Sequence, residues 1–272
     1  MKNIKLIFID LDGTTIDSIK NGKKRISLKN RKLVDEARQK GIKVVVSTGR
    51  KPDGHTKVLL KDIGSESDFL AWNGSYVVQN GIVIKNESIN SDLVKKIIKL
   101  VEKTNLSFII NSDIKNNCFT NNKFLKFILS FSKIKAKKYS EFIFEKPISK
   151  MMIWDFSPRK IKKFYENIKN EFSNDLEIVF TGKRNNMIEI TSKNCTKGDS
   201  EILFCSNLGI KPEECAHIGD TENDMSGNKL GVLISMKNGS KRFKKTADVI
   251  SKYNYKNAGL GKTIKKYILK CK

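Results

Sequence analysis

Two carboxylates, Asp10 and Asp12, stand two positions apart where the apolar run Leu6 to Ile9 gives way to Gly13. In an extended strand, side chains at i and i+2 share a face, so the like charges lie close together, which is costly unless a cation or a shared proton intervenes. A hard divalent cation resolves the conflict. Mg²⁺ takes carboxylate and carbonyl oxygens together with water and substrate phosphate, and aspartate is one of the side chains that form covalent acyl phosphates. The bland alternative is a tight turn made by Asp12 and Gly13. A second cluster weighs against it: the apolar run Cys215 to Gly219 is followed by Asp220, Asn223 and Asp224. Two acid-tipped strands in one chain suggest one site.

The elements that must position these acids alternate strand and helix. A strand at Leu6 to Asp10 precedes a helix from the capping residue Ser27 through Arg38, ended by Gly41. The continuous apolar run Ile42 to Ser47 reads as a strand covered on both faces. A helix starting at Pro52 and a strand at Phe69 to Trp72 follow. Tyr76 to Ile84 reads as a hairpin leaving the sheet, turning at Asn80 and Gly81. From Asn86 the helices 92–103, 122–132 and 158–172 and the strands 108–111, 151–156 and 177–181 supply their own apolar faces, and Gly182 to Asn186 would link back. Met187 to Thr191 is expected to resume the first sheet. It precedes a helix at Gly198 to Leu208, the strand Cys215 to Gly219, a helix at Asn223 to Lys229, a strand at Val232 to Met236, a helix at Ser240 to Lys245 and a short strand at Asp248 to Ile250. The fold class expected is α/β: a Rossmann-like parallel sheet core with helices on both faces, formed by residues 1–84 and 187–272, and an inserted α/β domain at 85–186. In such open sheets ligands sit beyond the carboxyl ends of the strands.

Four short motifs stand there in order: Asp10 to Thr14, Ser47 to Arg50, Thr196 to Gly198, and Gly219 to Asp224. Together the chain resembles the haloacid dehalogenase superfamily of phosphotransferases, in its Cof-type branch with a large inserted cap. The resemblance implies a Mg²⁺-dependent phosphatase of small phosphorylated metabolites, such as sugar phosphates or phosphorylated cofactors of the pyridoxal or flavin kind. It implies that Asp10 attacks phosphorus to form an aspartyl-phosphate, and that Asp12 protonates the leaving group and then activates water. Thr48 would bond the phosphoryl group, and Lys197 would neutralise it and Asp10. The metal would be held by Asp10, the Asp12 carbonyl and Asp220, with Asn223 and Asp224 around it. Gly49, Arg50 and Asn73 are expected substrate contacts. Two departures, the polar stretch Met225 to Leu230 and the bulky Trp72, bear on the pocket rather than the reaction. The alternatives are a phosphosugar mutase of the same superfamily and a non-catalytic basic nucleic-acid-binding protein.

Composition bounds the rest. The 272 residues carry a formal charge of +24, which can draw phosphate polymers. Lysine is nonetheless spread along the chain rather than gathered in one stripe, and this argues against a nucleic-acid partner. No apolar run reaches the ~20 residues of a membrane span, and Met1 to Asp10 lacks the pattern of a signal peptide, so the cytoplasm is expected. Five cysteines without a Cys-x-x-Cys pair indicate neither a disulfide framework nor a zinc site. His217, inside an apolar run, reads as a hydrogen-bonded core histidine.

Overall fold

Whether a buried strand is covered on one face or on two is written in its alternation, and the run at Leu6 is covered on both. The computed structural model describes residues 3–144, 146–182 and 186–271. It divides into two units, Met1–Lys85 with Thr196–Lys272, and Asn86–Cys195.

The first unit opens with β1 (Leu6–Ile9), a wide turn over Leu11–Thr15, and a small hairpin of β2 (Ser18–Lys20) and β3 (Lys23–Arg25). Next come α1 (Leu28–Gln39), β4 (Lys43–Ser47), α2 (Gly54–Asp62), β5 (Phe69–Ala71), β6 (Tyr76–Gln79) and β7 (Ile82–Asn86). The second unit contains α3 (Ser91–Thr104), β8 (Ser107–Ile110), β9 (Cys118–Phe119), α4 (Lys123–Phe131), β10 (Met151–Trp154), α5 (Pro158–Phe172), β11 (Leu176–Thr181) and β12 (Met187–Ser192). The chain then returns through α6 (Lys197–Asn207), β13 (Cys215–Gly219), β14 (Val232–Ser235), α7 (Lys241–Thr246), β15 (Val249–Ile250) and α8 (Gly259–Tyr267).

In the first unit, eight strands run in the order β15-β14-β13-β1-β4-β5-β6-β7. Pairings from β15 to β5 are parallel, and β6 lies antiparallel to β5. Ile7 and Ile9 of β1 join Val34 and Ala37 of α1, Leu59 and Leu60 of α2, and Leu260 and Ile264 of α8. Leu6 and Phe8 point the other way, to Phe204 and Cys205 of α6. Both faces are therefore filled, as a parallel sheet requires. Ser27 caps α1 by accepting from Asn30 N–H, and Asp53 caps α2 by accepting from Thr56 N–H, each satisfying a donor that the first helical turn leaves unpaired.

In the second unit five strands run β11-β12-β10-β8-β9, every pair antiparallel. One face carries α3 and α5 through Val94, Ile97, Val101, Ile161, Phe164 and Ile168. On the other, Leu125 and Leu129 of α4 meet Ile109 and Cys118.

Three expectations need correction. Met187–Ser192 does not resume the first sheet: it is β12, paired with β10 and β11, and Ile188 and Ile190 enter the core of the second unit, so the return falls at Thr196 and not at 187. The hairpin at Tyr76 to Ile84 stays on the sheet as its edge. The segment Glu222–Lys229 forms 3₁₀ turns in place of an α-helix; Asp224 is tied back to the N–H groups of Asp220 and Thr221, which tightens the start. The link expected at Gly182 to Asn186 falls largely on residues 183–185, outside the described residues. Among the described residues, no helix is long and apolar enough to cross a membrane.

Candidate active site

β1 ends by delivering Asp10 in extended conformation to the start of the wide turn, its N–H held by the Ile218 carbonyl of β13 at 3.0 Å. The turn lets a second carboxylate in. Gly13 has φ +81°, and a Cβ there would stand 2.1 Å from Asp220 Oδ2; only glycine permits that backbone with that neighbour. Asp220 arrives at the end of β13, where Gly219 leaves the room that Asp224 fills.

Lys197, the first residue of α6, is fully buried, with Nζ 2.6 Å from Asp10 Oδ1 and 2.6 Å from Asp224 Oδ1. Its helix is brought in close: Gly198 N–H donates to Ser226 Oγ, and a Cβ on Gly198 would lie 1.9 Å from the Ser226 carbonyl oxygen. Asp224 is saturated. Its Oδ1 accepts from Lys197 and from His217 Nε2 at 3.0 Å, and its Oδ2 accepts from the N–H groups of Asp220 at 2.8 Å and Thr221 at 2.9 Å. Asp220 is not saturated: Oδ2 accepts from Asn238 at 3.2 Å, while Oδ1 is buried without a hydrogen-bond partner.

The electrostatics follow from burial and charge. Burial pushes the Asp10 carboxyl up to about 6, with Lys197 holding it back. Burial, then the charges of Asp10 and Asp224, push Asp220 up to about 8. For Asp224 burial is outweighed by Lys197 and His217, and its carboxyl is held well below the usual range. Burial opposes the Lys197 charge, but Asp10 and Asp224 overcome it and keep the ammonium protonated. For His217, burial is likewise overcome by Glu201 and Asp224, which push it up to about 9.

These residues fit a divalent cation. Ligand atoms of Asp10, Asp220 and Asp224 lie within 4.8 Å of one another, and with Asp224 fully bonded the free oxygens belong to Asp10 and Asp220. The carboxylates of Asp10, Asp220, Asp224 and Glu201 share the buried centre with Lys197 and His217; with all four acids ionised they outnumber the two cations by two, and burial together with this excess drives the Asp220 carboxyl up when no cation offsets it. A hard oxygen-seeking ion such as Mg²⁺ suits both the donors and the charge.

Thr48 is buried just past β4; its N–H donates to the Leu70 carbonyl, and its Oγ1 accepts from Arg50 N–H at 3.2 Å, leaving the hydroxyl proton to give. Gly49 follows it in the same loop. Asn73, in the left-handed region at φ 58°, donates its N–H to the Thr48 carbonyl, and its side-chain oxygen accepts from Asn223 Nδ2 at 3.1 Å. Two expected roles thus have a shared geometry, with Asn223 reaching Asn73 and Thr221.

Arg50, an expected substrate contact, spans Asp12, Nε to Oδ2 at 2.5 Å and Nη2 to Oδ1 at 2.8 Å, and Lys24 of β3 adds a contact at 2.7 Å. Burial alone would raise Asp12, but Arg50 and then Lys24 hold it down at about 2. Three participants escaped the sequence reading. Lys24 is one lysine among many and carried no signal. Asn238, which donates to both the Gly13 carbonyl and Asp220, had only its place before Gly239 after a strand to mark it. Glu201 sits on the helix face that carries Phe204 and Cys205, a position that marks a buried carboxylate but not its partner.

Comparison with known proteins agrees in family and fold. The family profile described as haloacid dehalogenase-like hydrolase matches residues 7–264. The chain is 26% identical to the phosphoglycolate phosphatase of Methanobrevibacter smithii over 98% of its own length and 100% of that protein. It is 27% identical to the 5-amino-6-(5-phospho-D-ribitylamino)uracil phosphatase YcsE of Bacillus subtilis, over 98% and 97%. Against the longer Arabidopsis thaliana protein named endoribonuclease YBEY, chloroplastic, it is 24% identical over 91% of its own length, and spans 44% of that protein. A solved haloacid dehalogenase-like hydrolase from B. subtilis superposes with a TM-score of 0.78 at 22% identity, covering 97% of this chain and 100% of that one.

Proposed function

Because the chain belongs to the haloacid dehalogenase-like hydrolases, and is a phosphatase by that membership and its phosphatase relatives, we propose that it hydrolyses small phosphorylated metabolites with Mg²⁺ through an aspartyl-phosphate on Asp10. The observation that carries this reading is the buried Asp10, bonded to Lys197 at 2.6 Å beside the unsatisfied Asp220 Oδ1.

Asp10 attacks phosphorus, and the P–O bond to the alcohol breaks. Asp12 gives the leaving oxygen its proton, then takes one from the water that cleaves the acyl phosphate. Lys197, held protonated by two carboxylates, offsets charge on the phosphoryl oxygens in a reaction that needs mainly positioning and neutralisation. Thr48 gives its hydroxyl proton to the same group. Asp10, Asp220 and the Asp12 carbonyl would hold the cation, which when bound screens the phosphoryl charge. Asp12 as found is a carboxylate locked by Arg50 and Lys24, suited to the second step as a base. For the first step it must be freed and protonated: an incoming phosphate is an equal partner for Arg50, and a phosphate monoester entering as its monoanion brings the proton that Asp12 passes to the leaving oxygen.

Substrate choice is assigned to residues 86–195, inserted between β7 and α6. Two relatives at nearly equal identity are named for unlike substrates, so identity alone ranks neither. The test is phosphate release from a panel of phosphoglycolate, sugar phosphates, the phosphoribitylaminouracil, pyridoxal phosphate and flavin mononucleotide, with and without Mg²⁺. Turnover that needs Mg²⁺ and vanishes in Asp10→Asn is expected. Turnover indifferent to the cation, or retained by Asp10→Asn, contradicts the proposal.

A further inference from the structure

Two ionisable residues lie behind the reacting groups and touch none of them. His217 of β13 is fully buried, with Nδ1 2.8 Å from Glu201 Oε1 and Nε2 3.0 Å from Asp224 Oδ1. Glu201 is fully buried one turn beyond Lys197 on α6, its Oε2 without a partner. A neutral imidazole has one donor and one acceptor nitrogen. Here both nitrogens face carboxylates, and only the imidazolium satisfies both. Burying such a pair carries a desolvation cost for each ion, which apolar side chains in the same places would not incur.

The pair does something that apolar residues cannot. Asp224 Oδ1 accepts from His217 and Lys197 together, so the imidazolium shares the carboxylate with the ammonium. Charges alternate along the line Glu201, His217, Asp224, Lys197, Asp10. Without His217, Asp224 would bind Lys197 undivided and draw its charge away from Asp10. We propose that Glu201 and His217 are a positioning pair, acting through Asp224 to set where the Lys197 charge is directed while the phosphoryl group is transferred. This rests on the reading of Asp10 and Lys197 as reacting groups.

The expected loss is in kcat, because charge directed at the transferring group counts most in the transition state, and small misplacement of such a group can cost on the order of 100-fold. The experiment compares wild type, Glu201→Gln, His217→Gln and the double variant Glu201→Leu with His217→Ala, each checked for folding by thermal unfolding. Glu201→Gln keeps the shape of the side chain and serves if the others fail to fold. The pair predicts kcat lower by about 10- to 100-fold in the folded variants, KM changed little, and the double variant no worse than the poorer single, since the two act as one unit. A folded double variant, or Glu201→Gln, with wild-type kcat would show packing alone and overturn the inference. Asp10→Asn, run alongside, separates the failures: if it still turns over, the reading of the reacting groups has failed instead.

Discussion

At the residue scale, the site is a contest for Asp12. Arg50 and Lys24 occupy its carboxylate, while the sequence suggested only that Arg50 lies near substrate. If Arg50 leaves Asp12 for an incoming phosphate, Arg50→Ala loses a charge-assisted contact, and such bonds contribute about 1.5–3 kcal/mol. KM for the best substrate of the panel should rise about 10- to 100-fold in steady-state assays, with kcat less affected. An unchanged KM would keep Arg50 with Asp12 throughout. Asp10, Asp12, Thr48, Lys197, Asp220 and Asp224 were legible because each stands at a strand end or helix start in a short motif. Asn238 and Glu201 were not, because their partners are distant in sequence, 18 positions for Asn238 with Asp220 and 16 for Glu201 with His217, and no local pattern encodes such a bond.

At the element scale, close approach is what glycine supplies. α6 can bring Lys197 to Asp10 only because Gly198 lies against the Ser226 carbonyl. Alanine in a helix is ordinarily better than glycine by up to about 1 kcal/mol, so the usual expectation is that Gly198→Ala stabilises. Here the sign reverses: a methyl 1.9 Å from backbone oxygen must push α6 away. A fall in Tm of several degrees, by thermal unfolding, together with loss of turnover is expected; a raised Tm would contradict the packing described. The elements themselves were largely readable from apolar runs and caps, as Ser27 and α1 show. β12 was not, since Ile188 and Ile190 suit a buried strand in either sheet and alternation does not say which. The hairpin of β2 and β3 was also missed: its residues are polar apart from the exposed Ile19, and most are exposed, so burial left no mark on them.

For the whole molecule, the +24 charge acts at a distance. It favours encounter with anionic substrates and weakens as salt shortens the range of the field, to about 10 Å at 0.1 M. kcat/KM measured from low to 0.5 M salt should fall while kcat changes less; a flat profile would make the charge irrelevant to capture. On the proposed function, the acids serve one bond, between Asp10 and phosphorus. The most direct test is to quench a single turnover in acid, reduce with borohydride and find the mass of the peptide containing residue 10. An acyl phosphate there becomes homoserine, and this account predicts that product in wild type and its absence in Asp10→Asn. Rapid turnover with unmodified Asp10 at every quench time would contradict the covalent route and leave direct attack by water.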